Sequence, residues 1–149
     1  MKTTNYKSRK VTEKYSKYPL VAVYVFYPAL LKLAGNVKDK NILDIGCGSG
    51  WFSNQLYKKG AKVLALDNSF SWINVCKTQN RESSRLQFIL TDCDDLKVVK
   101  NARFDIVFAN MLFPSIASRR TVEKTFAEIG RVIKKAGSLF LAIFTRWRF

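Results

Sequence analysis

Histidine is absent from this chain of 149 residues. Chemistry that uses an imidazole as general base or metal ligand is therefore closed to it. Cysteine is scarce: Cys47, Cys76 and Cys93 stand far apart, with no C-x-x-C pair. A zinc site needs clustered nitrogen and sulfur ligands, so this spacing argues against a metal. An odd, scattered set of thiols reads as the reduced cysteines of a cytoplasmic protein. No uninterrupted apolar run reaches the roughly 20 residues of a bilayer span. The stretch after Leu20 follows a basic start, as a signal peptide would. It carries Pro28 and Lys32, however, and no small-residue cleavage pattern. Seven glycines and three prolines leave no flexible linker, and no internal repeat is visible.

Acids are few as well, 11 against 26 Lys+Arg, giving a formal charge of +15. That balance suits a polyanion such as RNA, or an anionic membrane surface; it also suits a basic face that meets only solvent. Hydrophobic residues make up 48% of the chain, which excludes a disordered polypeptide. The length suits one domain with a real core. Residues 1–17 form a basic arm, and residues 18–149 a single domain. Pro19 fits the first turn of a helix that runs to about Ala34 and stops at Gly35-Asn36.

From Asn41 the pattern alternates. Short apolar runs at 42–45, 63–66, 86–90, 104–109 and 139–144 read as buried strands. Segments with helical spacing lie at 51–59, 70–80 and 118–134. Strand alternating with helix predicts an α/β fold, a Rossmann-like doubly wound parallel sheet of about five strands.

The first strand and its turn read Ile42-Leu43-Asp44-Ile45-Gly46-Cys47-Gly48-Ser49-Gly50. Glycines there let the backbone bend sharply and let a ligand approach the main chain. A strand, a glycine-rich turn and a helix start form a nucleotide-site pattern. The dinucleotide fingerprint G-x-G-x-x-G needs glycine at position 51, where this chain has Trp51, so a dinucleotide oxidoreductase is disfavoured. Asp44 would repel a pyrophosphate and attract an ammonium, which favours a cofactor without phosphates.

These residues resemble the first motif of the class I S-adenosylmethionine-dependent methyltransferases. The resemblance covers residues 18–144 and implies S-adenosyl-L-methionine as cofactor. It places Gly46, Cys47, Gly48 and Gly50 against the methionine and ribose part, with Asp44 toward the amino end. Asp67, directly after the second apolar run, is similar to the family's ribose-binding acid. In Thr91-Asp92-Cys93, the resemblance gives Asp92 the adenine amino group and the Cys93 N–H a ring nitrogen. Asp94 and Asp95 are expected to cap a short helix. Asn110, after the fourth strand, is expected to touch the cofactor's amino-acid end. Asp105 reads as structural. The aromatics Tyr24, Phe26 and Tyr27 read as core more than site.

The family often has Pro-Gly-Gly before its fifth strand. Lys135-Ala136-Gly137 stand here, so a looser turn is expected. The family's sheet also continues with an antiparallel hairpin, which this chain is expected to lack. Strand 139–144 would then have an open edge suited to self-association or a partner chain. The expected function is methyl transfer, to a small molecule in preference to RNA. The alternative is a non-catalytic or incomplete member that binds the cofactor or a partner.

Overall fold

The computed structural model describes residues 22–143. The basic arm, the helix start at Pro19, the strand end at Phe144 and the tail Arg146-Trp147-Arg148-Phe149 lie outside them. Five strands alternate with helices: β1 (Asn41–Ile45), β2 (Lys62–Asp67), β3 (Leu86–Leu90), β4 (Phe104–Asn110) and β5 (Ile133–Ala142). The helices are α1 (Tyr27–Ala34), α2 (Trp51–Lys58), α3 (Phe70–Gln79) and α4 (Arg119–Val132). All strands are parallel, in the order β3-β2-β1-β4-β5. This is the doubly wound Rossmann-like sheet that the alternation predicts. Right-handed crossovers lead outward from β1 on both sides, so every strand's carboxyl end opens at one edge.

The apolar runs are continuous because both sheet faces are covered. Ile42, Val63, Phe88 and Phe108 pack with Leu30, Phe52, Leu56 and Ile73 from α1, α2 and α3. Leu43, Leu64, Phe104 and Val107 pack on the other face with Ile129 and Val132 of α4. Phe108 meets Phe52 edge-on at 5.0 Å and stacks on Phe140 at 5.1 Å, in geometries that aromatic quadrupoles favour.

Four local details depart from the sequence reading. A π-helical turn, Ala22–Phe26, precedes α1. Pro28 has no N–H to give to the previous turn, so a wider turn there costs no further bond. The segment after Asp92 holds turns and no helix, so Asp94 and Asp95 cap nothing. Side chains from α4 satisfy its backbone instead. Glu128 accepts from Leu96 N at 2.8 Å, and Arg131 donates to Leu96 O and Val99 O, both at 2.9 Å. Helix α4 also ends at Val132, and β5 begins at once with Ile133 beside Phe104. Residues 134–137 then bulge out, and regular pairing resumes at Ser138 opposite Ile106. The looser turn expected at Lys135-Ala136 is this bulge. Among the described residues, no strand lies on the outer side of β5.

Candidate functional site

The glycine loop sits where β1 ends. Gly46 N and Cys47 N both donate to Leu66 O, at 2.7 and 2.9 Å, so the loop leaves the sheet still tied to β2. Gly50 opens α2 at φ +73°, a left-handed conformation that costs an L-residue with a side chain roughly 1–2 kcal/mol. A Cβ there would stand 2.7 Å from the Phe88 ring and 2.9 Å from Cys76 Sγ, so Gly50 is fixed by packing. Gly48 differs. Its φ is +53°, and a Cβ there would meet nothing within 4 Å. One glycine is needed by the core, the other faces open space beside the loop.

Asp44 is buried, 2% exposed, inside β1. Ser53 of α2 donates to its carboxylate at 2.6 Å. Burial pushes the Asp44 carboxyl up to about 6, and the neighbouring Asp67 adds to the rise while the Ser53 bond opposes it. A carboxyl so poised takes up charge when a cation arrives. Asp67 ends β2 and clamps the loop: its carboxylate accepts from Gly48 N at 3.0 Å and Ser69 N at 2.9 Å. Ser69 in turn caps α3 by accepting from Trp72 N.

Asp92 follows β3 and is exposed. Asn68 reaches across from the end of β2 and donates to it at 2.9 Å. The Cys93 thiol faces away from the loop and accepts from Thr125 of α4 at 3.3 Å. Cys47 lies 4.0 Å from Cys76, whose thiol donates to Gly48 O at 3.0 Å. The Cys76 contact, and then burial, raise the Cys47 thiol well above its ordinary value, so it stays protonated. Asn110 ends β4 with both amide atoms buried and, among the described residues, unpartnered. Met111 follows at φ +56°, a strained conformation that turns the chain out of the sheet.

The strand ends thus gather Asp44, Asp67, Asp92 and Asn110 around the glycine loop. Asp105 sits at the other end of the sheet. It accepts from Asn41 N and Lys134 Nζ, both at 2.8 Å, which is a structural role. Two participants, Ser53 and Asn68, were not singled out in the sequence, and Tyr27 was read there as core. Ser53 breaks the apolar stripe of Phe52 and Leu56, and a buried polar residue in such a stripe is a signal for a partner. Asn68 follows Asp67 directly. Tyr27 stacks on Trp51 at 5.2 Å and Phe52 at 4.9 Å. Burial, with Asp44 and Cys47 nearby, pushes its phenol up to about 12. Tyr27 is therefore core that borders the site, whereas Tyr24 is 74% exposed.

A family model described as a methyltransferase domain matches residues 43–141, which include the loop and the ends of β1, β2, β3 and β4. The chain belongs to the class I S-adenosylmethionine-dependent methyltransferases. It is similar to the malonyl-[acyl-carrier protein] O-methyltransferase of Hamiltonella defensa, 31% identical over 76% of this chain and 41% of that protein. The ubiquinone biosynthesis O-methyltransferase of Coxiella burnetii is 36% identical over 74% of this chain and 46% of that protein. The chain thus spans less than half the length of these curated relatives. A methyltransferase-fold structure from Methanococcus maripaludis covers 95% of this chain and 66% of its own, with a TM-score of 0.77 and 18% identity. A Haemonchus contortus phosphoethanolamine N-methyltransferase, solved with S-adenosylhomocysteine, has a TM-score of 0.71 and 23% identity, over 95% of this chain and 33% of its own. At such identities the structures show a shared fold.

The residues present fit the family's cofactor. Asn110 has two buried polar atoms in want of partners, and the Cβ position of Gly48 is open. Among the described residues, no helix is long and apolar enough to cross a membrane.

Proposed function

We propose that this chain binds S-adenosylmethionine at the carboxyl ends of β1, β2, β3 and β4, and transfers its methyl group to a small molecule. The bound cofactor supplies a methyl group on a sulfonium, open to in-line attack by an electron-rich atom. Asp67 takes the ribose hydroxyls while its other lone pairs hold Gly48 and Ser69. Asp44, held by the Ser53 hydroxyl, pairs with the amino end. Asp92, held by Asn68, takes the adenine amino group, and the Cys93 N–H a ring nitrogen. Asn110 satisfies its amide on the amino-acid end. The residues act by alignment and exclusion of water, which together lower the barrier without a protein nucleophile. Tyr27, held protonated near neutral pH, is no general base.

The observation that carries the reading is Asn110. Two buried polar atoms left without partners cost about 1–3 kcal/mol each, a cost that a bound ligand removes. A small acceptor group is favoured because the curated relatives cited above are named for ubiquinone biosynthesis and for a malonyl group on a carrier protein, neither of them an RNA. The test is calorimetric titration with S-adenosylhomocysteine, then a radiolabelled methyl-transfer screen over metabolites and RNA. Binding of NADH with none of S-adenosylhomocysteine would sink the proposal. Saturable binding with no acceptor methylated would sink the transfer step and keep cofactor binding.

A further inference from the structure

The methyl-transfer site leaves the charge of +15 unexplained, and among the described residues the topology gathers part of that charge at one end of the sheet. In a parallel sheet every strand begins at the same end, here the base, away from the glycine loop. A cation stands at the start of each strand. In spatial order they are Arg85 before β3, Lys62 opening β2, Lys40 before β1, Arg103 before β4 and Lys134 in the bulge of β5. Strands lie about 4.8 Å apart, so the row is roughly 19 Å wide. Backbone bonds join its members: Lys62 N donates to Lys40 O at 2.8 Å, and Val63 N to Arg85 O at 2.7 Å.

Two of these cations are already paired, Arg85 with Asp39 and Lys134 with Asp105, both at 2.8 Å. Lys40, Lys62 and Arg103 make no ion pair among the described residues. Arg103 lies over the Phe104 ring, its guanidinium carbon 5.4 Å from the centroid. Lys62, Arg85 and Arg103 line one shallow recess with Asn41, Ser84 and Gln87. Cations set among amides and a hydroxyl are the donor set that phosphate and sugar oxygens take. A lipid surface would ask for apolar anchors beside the charge. Of the exposed apolar side chains, Phe70, Leu90, Met111 and Ile143 lie toward the other end of the sheet, while Leu33 and Val98, on the segments that lead into β1 and β4, are single residues and form no cluster with the row.

We propose that the base of the sheet binds the phosphate backbone of single-stranded RNA, centred on Lys62, Arg85 and Arg103. Strands of five to seven residues hold that face roughly 17–23 Å from the glycine loop. RNA held there is a tether, and the methyl acceptor enters at the opposite end. This inference does not depend on the cofactor reading, because the two ends are tested by different ligands.

The test is fluorescence anisotropy of the full chain with a labelled oligouridine over a salt series. The double variant Lys62→Glu with Arg103→Glu is compared with Arg120→Glu with Lys124→Glu on α4. Both pairs change the net charge equally, and none of the four residues makes an ion pair among the described residues. Each phosphate contact contributes about 0.7 to the log–log salt slope of a single strand. The base variant is expected to lose about 1.4 of slope, and the α4 variant to keep the wild-type slope. S-adenosylhomocysteine affinity and melting temperature should hold in both, which shows that the variants are folded. Three results would overturn the proposal. One is absence of RNA binding at low salt. Another is an equal loss of slope in both variants, which marks diffuse attraction. The third is unchanged RNA binding in the base variant with lost co-sedimentation on phosphatidylserine vesicles, which marks a lipid face.

Discussion

Asp67 performs two tasks on one carboxylate, and substitution can separate them. Its bonds from Gly48 N and Ser69 N hold the glycine loop and the start of α3. Hydrogen bonds to a charged group contribute about 1.5–3 kcal/mol, and partial exposure places these at the lower end. Asp67→Ala removes both, a loss of about 3 kcal/mol. For a domain of this size that lowers the melting temperature by roughly 6–12 °C. Asp67→Asn keeps one carbonyl oxygen for Ser69 N and should lose about half as much. The proposed ribose contacts add a second, separable loss. Removing charge-assisted bonds to two hydroxyls, at the same lower end, weakens binding by about 3 kcal/mol, or about 150-fold in Kd. Thermal melts measure the first effect. Calorimetry with S-adenosylhomocysteine, well below each melting temperature, measures the second. A lowered melting temperature with wild-type affinity in Asp67→Asn would refute the ribose role and keep the loop clamp. Wild-type values of both would refute the whole account of this residue.

Other expectations follow from the same geometry. Gly50→Ala should destabilise by about 2–4 kcal/mol, from left-handed strain and from collision with Phe88 and Cys76; chemical denaturation measures it, and a neutral result would show that α2 can shift. Gly130→Ala, exposed in α4 with nothing within 4 Å, should stabilise by about 0.4–1 kcal/mol in the same assay. Asp44 binds more protons folded than unfolded, because its folded value of about 6 lies above the ordinary one, so its contribution to stability falls as pH rises from about 4 to 6. The ligand's ammonium needs the charged carboxylate, so S-adenosylhomocysteine affinity should rise about tenfold between pH 5 and pH 7 and level off; an equally steep profile in Asp44→Asn would assign that dependence elsewhere. The outer side of β5 carries the exposed Leu141, so the chain should self-associate with rising concentration, and Leu141→Lys should weaken this. Light scattering that finds a monomer throughout would show the edge to be covered.

The parts of the fold legible in the sequence are those set by neighbours along the chain. The runs of β1, β2 and β4 read as strands because both faces are largely buried, whereas β3, at the sheet edge, reads by alternation, with Leu86 and Phe88 buried and Gln87 exposed. The loop, Asp44 and Asp67 were legible because a strand, a sharp turn and a helix start leave a local pattern. Distant partners hid the rest. Residues 91–103 read as a helix start because acids favour one, yet Glu128 and Arg131 of α4 bind that backbone as turns. The bulge in β5 answers to pairing with β4, which no local pattern encodes. Among site residues, the Cys93 thiol turns to Thr125 across the sheet face, and the sequence held no sign of it.

The same parallel topology that gathers the site also polarises the molecule. β2 shows it in six residues, with Lys62 at its start and Asp67 at its end. Arg85 precedes β3 and Asp92 follows it; Lys40 precedes β1 and Asp44 lies near its exit. A cation before and an acid after each of these strands places opposite charge at opposite ends, with no contact between them required. The acids are held close by the loop, where one cationic ligand can meet Asp44, while the cations are spread across a row about 19 Å wide. A compact positive ligand is thus drawn to one end and an extended polyanion to the other. Their attractions are screened separately, because the ends stand farther apart than the roughly 8 Å Debye length at physiological salt. Salt should therefore loosen the polyanion at the base well before it disturbs the buried Asp44, and occupancy of one end should leave the affinity of the other unchanged.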